Sequence, residues 1–296
     1  GFTNALLDIV DNHRASHVGV AFDTHAPTVR HEKYPPYKAQ REAMPEELAT
    51  AIPYVKRLCV AMGVPVIELD GYEADDIIGT LAHRADQTGK IHTYMVTPDK
   101  DFAQLVSPTT TMWKPAKGGG DPELMDVTAI KNHWEIESPS QVIDILALWG
   151  DAADNIPGIP GIGEKTAKKL IKQYGSVEKL LESTAELKGK QKENVENNKP
   201  QALLSKQLTT IILDVPIETT FTDLTLDQRD DEAVKSLFTE LEFNSLGKRL
   251  YGNEFNAGRG QTTTASAQTD LLQAEQKTLA DFKTTYPLVN TEPPLQ

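Results

Sequence analysis

Apolar positions in the first half of the chain alternate between two rhythms. Leu6, Leu7 and Val10 fall three to four residues apart and predict a helix over residues 1–14. Residues 17–22, His-Val-Gly-Val-Ala-Phe, form a short apolar run that predicts a buried strand ending at Asp23. Residues 46–62 read as a helix stopped by Gly63, with a kink or break at Pro53. A short strand over 64–69, a helix over 73–85 following Gly71, and a strand over 91–97 ending near Asp99 continue the alternation. Strands interleaved with helices predict an α/β fold: a mostly parallel sheet flanked by helices.

The rhythm then changes. Residues 117–120, Lys-Gly-Gly-Gly, predict a hairpin tip. From about residue 138 only helical spacing remains, over 138–149, 164–174 and 231–241. Residues 257–268, Ala-Gly-Arg-Gly-Gln-Thr-Thr-Thr-Ala-Ser-Ala-Gln, are a low-complexity linker. The expected organisation is an α/β domain over 1–137, an all-helical domain over 138–256, and a linker with the start of a further domain over 257–296.

Composition narrows the class. No apolar run approaches the roughly 20 residues of a membrane span, so no membrane partner is expected. The single cysteine, Cys59, excludes an internal disulfide framework and fits a reducing, cytoplasmic compartment. No basic stretch followed by an apolar core marks a secretion signal, and the missing initiator Met reads as a fragment. The formal net charge of −13 argues against a nucleic-acid partner unless the acids are gathered around cations.

The acids are placed for that. Asp23 ends the first strand, and Glu73, Asp75 and Asp76 open a helix. Asp99 and Asp101 follow the 91–97 strand, and Asp151 and Asp154 follow the 138–149 helix. Ligands of open α/β sheets bind beyond the carboxyl ends of the strands, where Asp23 and Asp99 fall. Glu73 and Asp76 share a helix face at i, i+3; Asp151 and Asp154 do so if helical, and Asp99 and Asp101 point together if extended. Oxygen ligands of this kind select Mg²⁺ or Mn²⁺, and no Cys/His spacing suits zinc. Without cations, such a cluster would repel itself by several kcal/mol. The ordinary explanation of each pair is helix-dipole or turn chemistry.

Two basic segments complete the picture. Gly158, Gly161 and Gly163 precede a helix whose Lys165, Lys168, Lys169 and Lys172 fall on one face. Glycines admit phosphate to backbone amides, and lysines grip a duplex backbone without reading sequence. The segment matches neither a Walker loop nor a dinucleotide fingerprint. Arg30, His31, Lys33, Lys38 and Arg41 alternate with Tyr34 and Tyr37, a mix suited to single strands by charge and stacking. A ligand-free surface loop is the alternative.

Five blocks together resemble the 5′-nuclease domains of bacterial DNA polymerases I, relatives of flap endonucleases in the PIN-like superfamily. They are Val-Ala-Phe-Asp23, Tyr37-Lys38-Ala-Gln-Arg41, Gly71-Tyr-Glu-Ala-Asp-Asp76, Thr97-Pro-Asp-Lys-Asp101 and the run from Gly150 to Ala167. Their order matches to about residue 255. The resemblance implies metal ligation by Asp23, Glu73, Asp75, Asp76, Asp99, Asp101, Asp151 and Asp154, with two or more Mg²⁺ or Mn²⁺ ions. It implies phosphate contact by Lys38 and Arg41. It also implies duplex grip by a helix-three-turn-helix over 154–175, with a K⁺ ion on backbone carbonyls. Arg30, Tyr37, Lys38, Arg41, Gly158, Gly161, Gly163, Lys165, Thr166, Lys168 and Lys169 are then expected at DNA. The substrates implied are 5′ flaps, nicked duplexes and RNA primers on DNA, near the bacterial nucleoid, with polymerase domains in the same parent chain. Members of the family open with a further strand bearing a metal-ligand Asp, expected ahead of Gly1. A non-catalytic duplex-binding module and a PIN-type ribonuclease are the competing functions.

Overall fold

The computed structural model describes residues 1–257 apart from 14 and 117–120, so the predicted hairpin tip and most of the linker lie outside the described residues. Residues 1–234 form one compact unit, and the described residues from Lys235 on belong to a second. The first begins with α1 (Phe2–Asn12), β1 (Val20–Ala21), α2 (Val29–Lys33), α3 (Glu46–Ala61), β2 (Val66–Ile67), α4 (Ala74–Thr88) and β3 (Thr93–Val96). Next come β4 (Thr110–Lys114), β5 (Glu123–Met125), α5 (Val127–Trp134), α6 (Val142–Trp149) and α7 (Glu164–Tyr174). It closes with α8 (Val177–Glu182), α9 (Gly189–Asn197) and α10 (Lys199–Thr209); α11 (Asp231–Glu240) crosses into the second unit, which holds α12 (Asn244–Tyr251).

The strands form two small sheets where one was expected. β1 pairs with β2 in parallel; β3 pairs with β4 in parallel and β4 with β5 antiparallel. Both sheets lean on α4, which packs against β1 and β3. Only Val20 and Ala21 of the 17–22 run join the ladder, because Val18 N–H instead bonds the Leu224 carbonyl (2.8 Å). Pro53 does not break α3. The carbonyl it leaves without an N–H partner belongs to Ala49, an exposed residue, so the helix loses one bond on its solvent side.

One core runs from Ala82 and Met95 through Ile145, Leu148 and Leu170 to Val195 and Ala202, with members on both sides of residue 137. Its centre is α6, where Val142, Ile145, Leu146, Ala147 and Leu148 are all buried. α7 and α10 pack on it. The one buried charge of α6, Asp144, accepts from the first amide of α8 (Val177, 2.9 Å) and from Lys206 Nζ (2.6 Å). It thereby ties α6, α8 and α10 together.

The end of α6 meets the glycine turn backbone to backbone. A Cβ on Gly158 would lie 2.1 Å from the Trp149 carbonyl oxygen, and one on Gly150 2.3 Å from the Gly158 nitrogen. Gly158→Ala should therefore cost about 2 kcal/mol or more in urea unfolding, since backbone cannot yield as a side chain does. Gly163→Ser should cost nothing, because a Cβ there meets no atom within 4 Å and Ser is a good N-cap for α7.

Candidate active site

The first turn of α4 gives its acids separate tasks. Glu73 is the N-cap and Asp76 the third residue of α4, joined in a reciprocal capping box, and both carboxylates face Arg30 Nη1, at 3.4 and 2.6 Å, so the predicted i, i+3 pair does share a face. Asp76 is fully buried. Its two oxygens take a bidentate fork from Arg30 (2.6 and 2.8 Å), the Ile212 amide (2.9 Å) and the Glu73 amide (3.2 Å). Arg30 spends its other donors on the carbonyls of Leu208 (2.9 Å) and Thr210 (2.8 Å). Burial alone would weaken its charge, but Asp76 and Glu73 more than offset this, and its pKa is raised. Arg30 is thus an internal strut joining α2, α4 and the end of α10, and not the DNA contact its sequence position suggested. Asp76 is held by the same strut.

The next correction concerns Tyr37. It is buried, and its hydroxyl lies 3.0 Å from both Glu73 Oε2 and Asp154 Oδ2, so no face is left for a base. Burial first, then those two carboxylates, raises its pKa, so the phenol stays protonated. Lys38, at φ +55, sends Nζ to Glu73 Oε1 (2.6 Å) and lies 3.8 Å from Asp154; Arg41 Nη2 meets Asp154 Oδ1 (2.5 Å).

Backbone contacts clamp the same two loops. Lys38 N–H bonds the Asp154 carbonyl (2.9 Å), Gln40 Nε2 the Ala152 carbonyl (2.5 Å), and Asn155 Nδ2 the Pro36 carbonyl (2.6 Å). Asp151–Ile156 is a tight bridged loop (2.9 and 2.8 Å), so Asp151 and Asp154 are not on a helix as their spacing allowed.

Asp99 is extended, but Asp101 is not, lying one residue inside a 3-10 turn. Asp99 caps a short 3-10 segment, Lys100–Leu105, by accepting the Asp101 amide (3.0 Å). Asp23 reaches across to accept the Ala74 amide (2.7 Å). Burial first, then Asp99, Glu73 and Asp23, pushes Asp75 up to about 7. Burial first, then Asp99, Asp151 and Asp154, does the same for Asp101, with Lys100 opposing. Asp99 therefore links two groups of acids, Asp23–Glu73–Asp75 and Asp101–Asp151–Asp154.

These acids suit hard cations. Asp101 Oδ1 is buried without a hydrogen-bond partner, although Lys100 Nζ lies 3.7 Å away. Lys100 also pairs with Asp151. Among the described residues no three such side chains converge closely enough to hold an ion as they stand. Their oxygens are engaged instead by Lys38, Arg41, Lys100, Tyr37 and backbone amides.

On the other flank, Gly161 and Gly163 are exposed, as are Lys165, Lys169 and Lys172, and Thr166 is half-buried. Lys168 is not free: it bonds the His133 carbonyl (3.1 Å), pairs with Glu164 (2.7 Å) and covers the Trp134 ring. That removes it from the expected DNA face.

Family models settle the kinship. Residues 1–135 match the N-terminal resolvase-like domain of 5′-3′ exonuclease and residues 137–232 its C-terminal SAM fold. The chain belongs to the 5′-3′ exonuclease family. It is 41% identical over 263 residues to DNA polymerase I of Bacillus subtilis, covering 88% of this chain and 30% of that protein. It is 42% identical over 251 residues to DNA polymerase I of Bacillus caldotenax, covering 84% of this chain and 28% of that one. The chain thus spans under a third of these relatives' length. Its fold resembles the T5 5′-exonuclease with bound zinc (TM-score 0.61, 21% identity, 70% of this chain and 79% of that one). It also resembles a T5 flap endonuclease complexed with DNA and metal ions (TM-score 0.58, 22% identity, 81% and 89%).

In this chain, the residues that sequence reasoning missed are the connectors: Lys100, Gln40, Asn155 and the strut role of Arg30. Each lies beside a recognised acid or base, but nothing in its spacing reveals a partner more than 50 positions away.

Two outcomes follow from these contacts. Arg30→Met leaves Asp76 buried and unpaired and should lower unfolding stability by about 3–5 kcal/mol, measured by urea melts. Because Asp75 and Asp101 hold protons up to about pH 7, against an ordinary 3.8, the folded state binds more protons than the unfolded state between about pH 4 and 7. Stability of the EDTA-treated protein should therefore fall as pH rises through that window. Asp75→Asn should flatten the fall in thermal melts, raising the midpoint at pH 8 but not at pH 5.

Proposed function

We propose that this chain is a metal-dependent 5′-nuclease that cuts DNA phosphodiesters as the leading part of a DNA polymerase I. The observation that carries the reading is the convergence of acids from distant stretches: Tyr37 and Lys38 each bridge Glu73 and Asp154, Lys100 bridges Asp101 and Asp151, and Asp101 Oδ1 is buried without a hydrogen bond. Asp23, Glu73, Asp75, Asp99, Asp101, Asp151 and Asp154 would hold Mg²⁺ or Mn²⁺, two or more ions; Asp76 supports Glu73 from behind. When bound, such ions lower the pKa of water and neutralise charge on the reacting phosphate.

The remaining chemistry falls to this chain's own residues. Lys38 and Arg41, now bound to Glu73 and Asp154, are cations that can turn to the scissile phosphate once the acids are otherwise neutralised. Tyr37 keeps Glu73 and Asp154 in register. The exposed glycine turn and Lys165 and Lys169 hold the duplex beside the cut, consistent with 5′ flaps, nicked duplexes or RNA primers on DNA as substrates. The Pro157, Gly158, Ile159 and Pro160 carbonyls accept bonds from Ser205, Gln201, Ile162 N–H and Asn194, and backbone carbonyls of this turn are the groups that would hold a K⁺ ion there.

A labelled 5′-flap duplex tests the reading, with a single-stranded RNA alongside. Cleavage of the flap should require Mg²⁺ and stop with EDTA. Asp99→Asn should cut cleavage at least 100-fold, since even outer partners of metal ligands are worth about 10–100-fold. Flap binding should stay near wild type. Equal loss of binding and cleavage would favour a duplex-binding module, and preferential RNA cleavage a ribonuclease.

A further inference from the structure

We infer that the start of α9, through Lys188 and Lys190, is a second phosphate-contacting surface that extends the grip of the glycine turn along the duplex backbone. The inference rests on the DNA-binding reading above and deepens it.

Charge distribution is the first support. Within a chain of net charge −13, residues 160–206 hold ten lysines against six glutamates, with no Asp or Arg. Several of those lysines are spent internally. Lys168 is tied to Glu164, Lys192 faces Glu196 (3.9 Å), Lys199 bonds the Leu181 carbonyl (2.9 Å), and Lys206 joins Asp144 and Glu178. Lys188 and Lys190, like Lys165 and Lys169, are exposed and make no ion pair among the described residues.

Position is the second. Asn194 Nδ2 donates to the Pro160 carbonyl (2.7 Å) and lies 3.2 Å from where a Cβ on Gly161 would stand. That contact docks α9 on the glycine turn. Lys190 precedes Asn194 by four residues and so shares its face, one helical turn nearer the start of α9. Lys165 and Lys169 leave the same turn on α7. The turn is therefore flanked by lysines without ion pairs from two helices.

Backbone is the third. Gly189 has φ +56, and a Cβ there would meet nothing within 4 Å, so the chain between the two lysines is open to close approach. Glu193, exposed and three residues after Lys190, is the one acid of α9 without an ion pair among the described residues. Lysines act as point charges on phosphate, so the surface would add affinity without sequence preference.

The test is duplex DNA binding by the full chain, followed by anisotropy of a labelled duplex across a NaCl series. Each lysine withdrawn from a phosphate flattens the plot of log K against log [salt] by about 0.9. Lys188→Ala with Lys190→Ala should flatten it by about 1.8, Glu193→Lys should steepen it by about 0.9, and Lys90→Ala, on the turn after α4, should leave it unchanged. Thermal melts of each variant should match wild type. If wild type binds and the double variant keeps its slope, the inference is overturned. If wild type shows no salt-dependent duplex binding, the DNA reading falls with it.

Discussion

Seven carboxylates gathered in partly buried space repel one another, and everything around them is arranged to contain that repulsion. Like charges at such range cost several kcal/mol unless offset. The fold offsets them in three ways: Lys38, Arg41 and Lys100 bring positive charge, backbone amides bond Asp23, Asp99 and Asp151, and Asp75 and Asp101 retain protons near neutral pH. A group of acids held this way is a poor structural device and a good receptor for cations. Each offset is a local substitute for what divalent ions would do better.

Holding the acids also requires joining parts of the chain that have no local reason to meet. Two clamps do it. One is the loop around Tyr37, which is bound to Asp151–Ile156 through Lys38, Gln40 and Asn155. The other is Arg30, which spans from α2 to Asp76 and on to the end of α10. The Arg30 clamp is buried, so removing one of its partners strands the others at high cost, whereas the Gln40 and Asn155 bonds of the loop clamp are exposed to solvent. The helical half of the molecule thus takes part in positioning a cluster whose acids come mostly from the α/β half.

The acids themselves were legible in the sequence, since Asp23, Glu73, Asp99 and Asp151 all sit at element ends that apolar periodicity locates. Helices were also legible where an apolar face persists, as in α4, α6 and α7. Geometry within the acid pairs was not. Asp99 became a cap and Asp151 entered a two-bonded loop, because short-range hydrogen bonds of Asp compete with helix and strand alike. Burial of basic and aromatic side chains was equally hidden. Arg30 and Tyr37 look like surface residues by type, and only their partners, 36 or more positions away, place them inside. The strand over 17–22 shrank for a similar reason: residue 224 competes for its amides.

The reach of Arg30 has a bearing on biosynthesis. A ribosome makes the chain from its N-terminus, and the carbonyls that complete the guanidinium's shell, Leu208 and Thr210, emerge about 180 residues after it. Until then Asp76 lacks the Ile212 amide and the fork lacks its far anchor. A nascent or stalled polypeptide ending before residue 210 would display every acid without the strut that fixes them. Assembly of the acid cluster is therefore delayed until both halves have been translated.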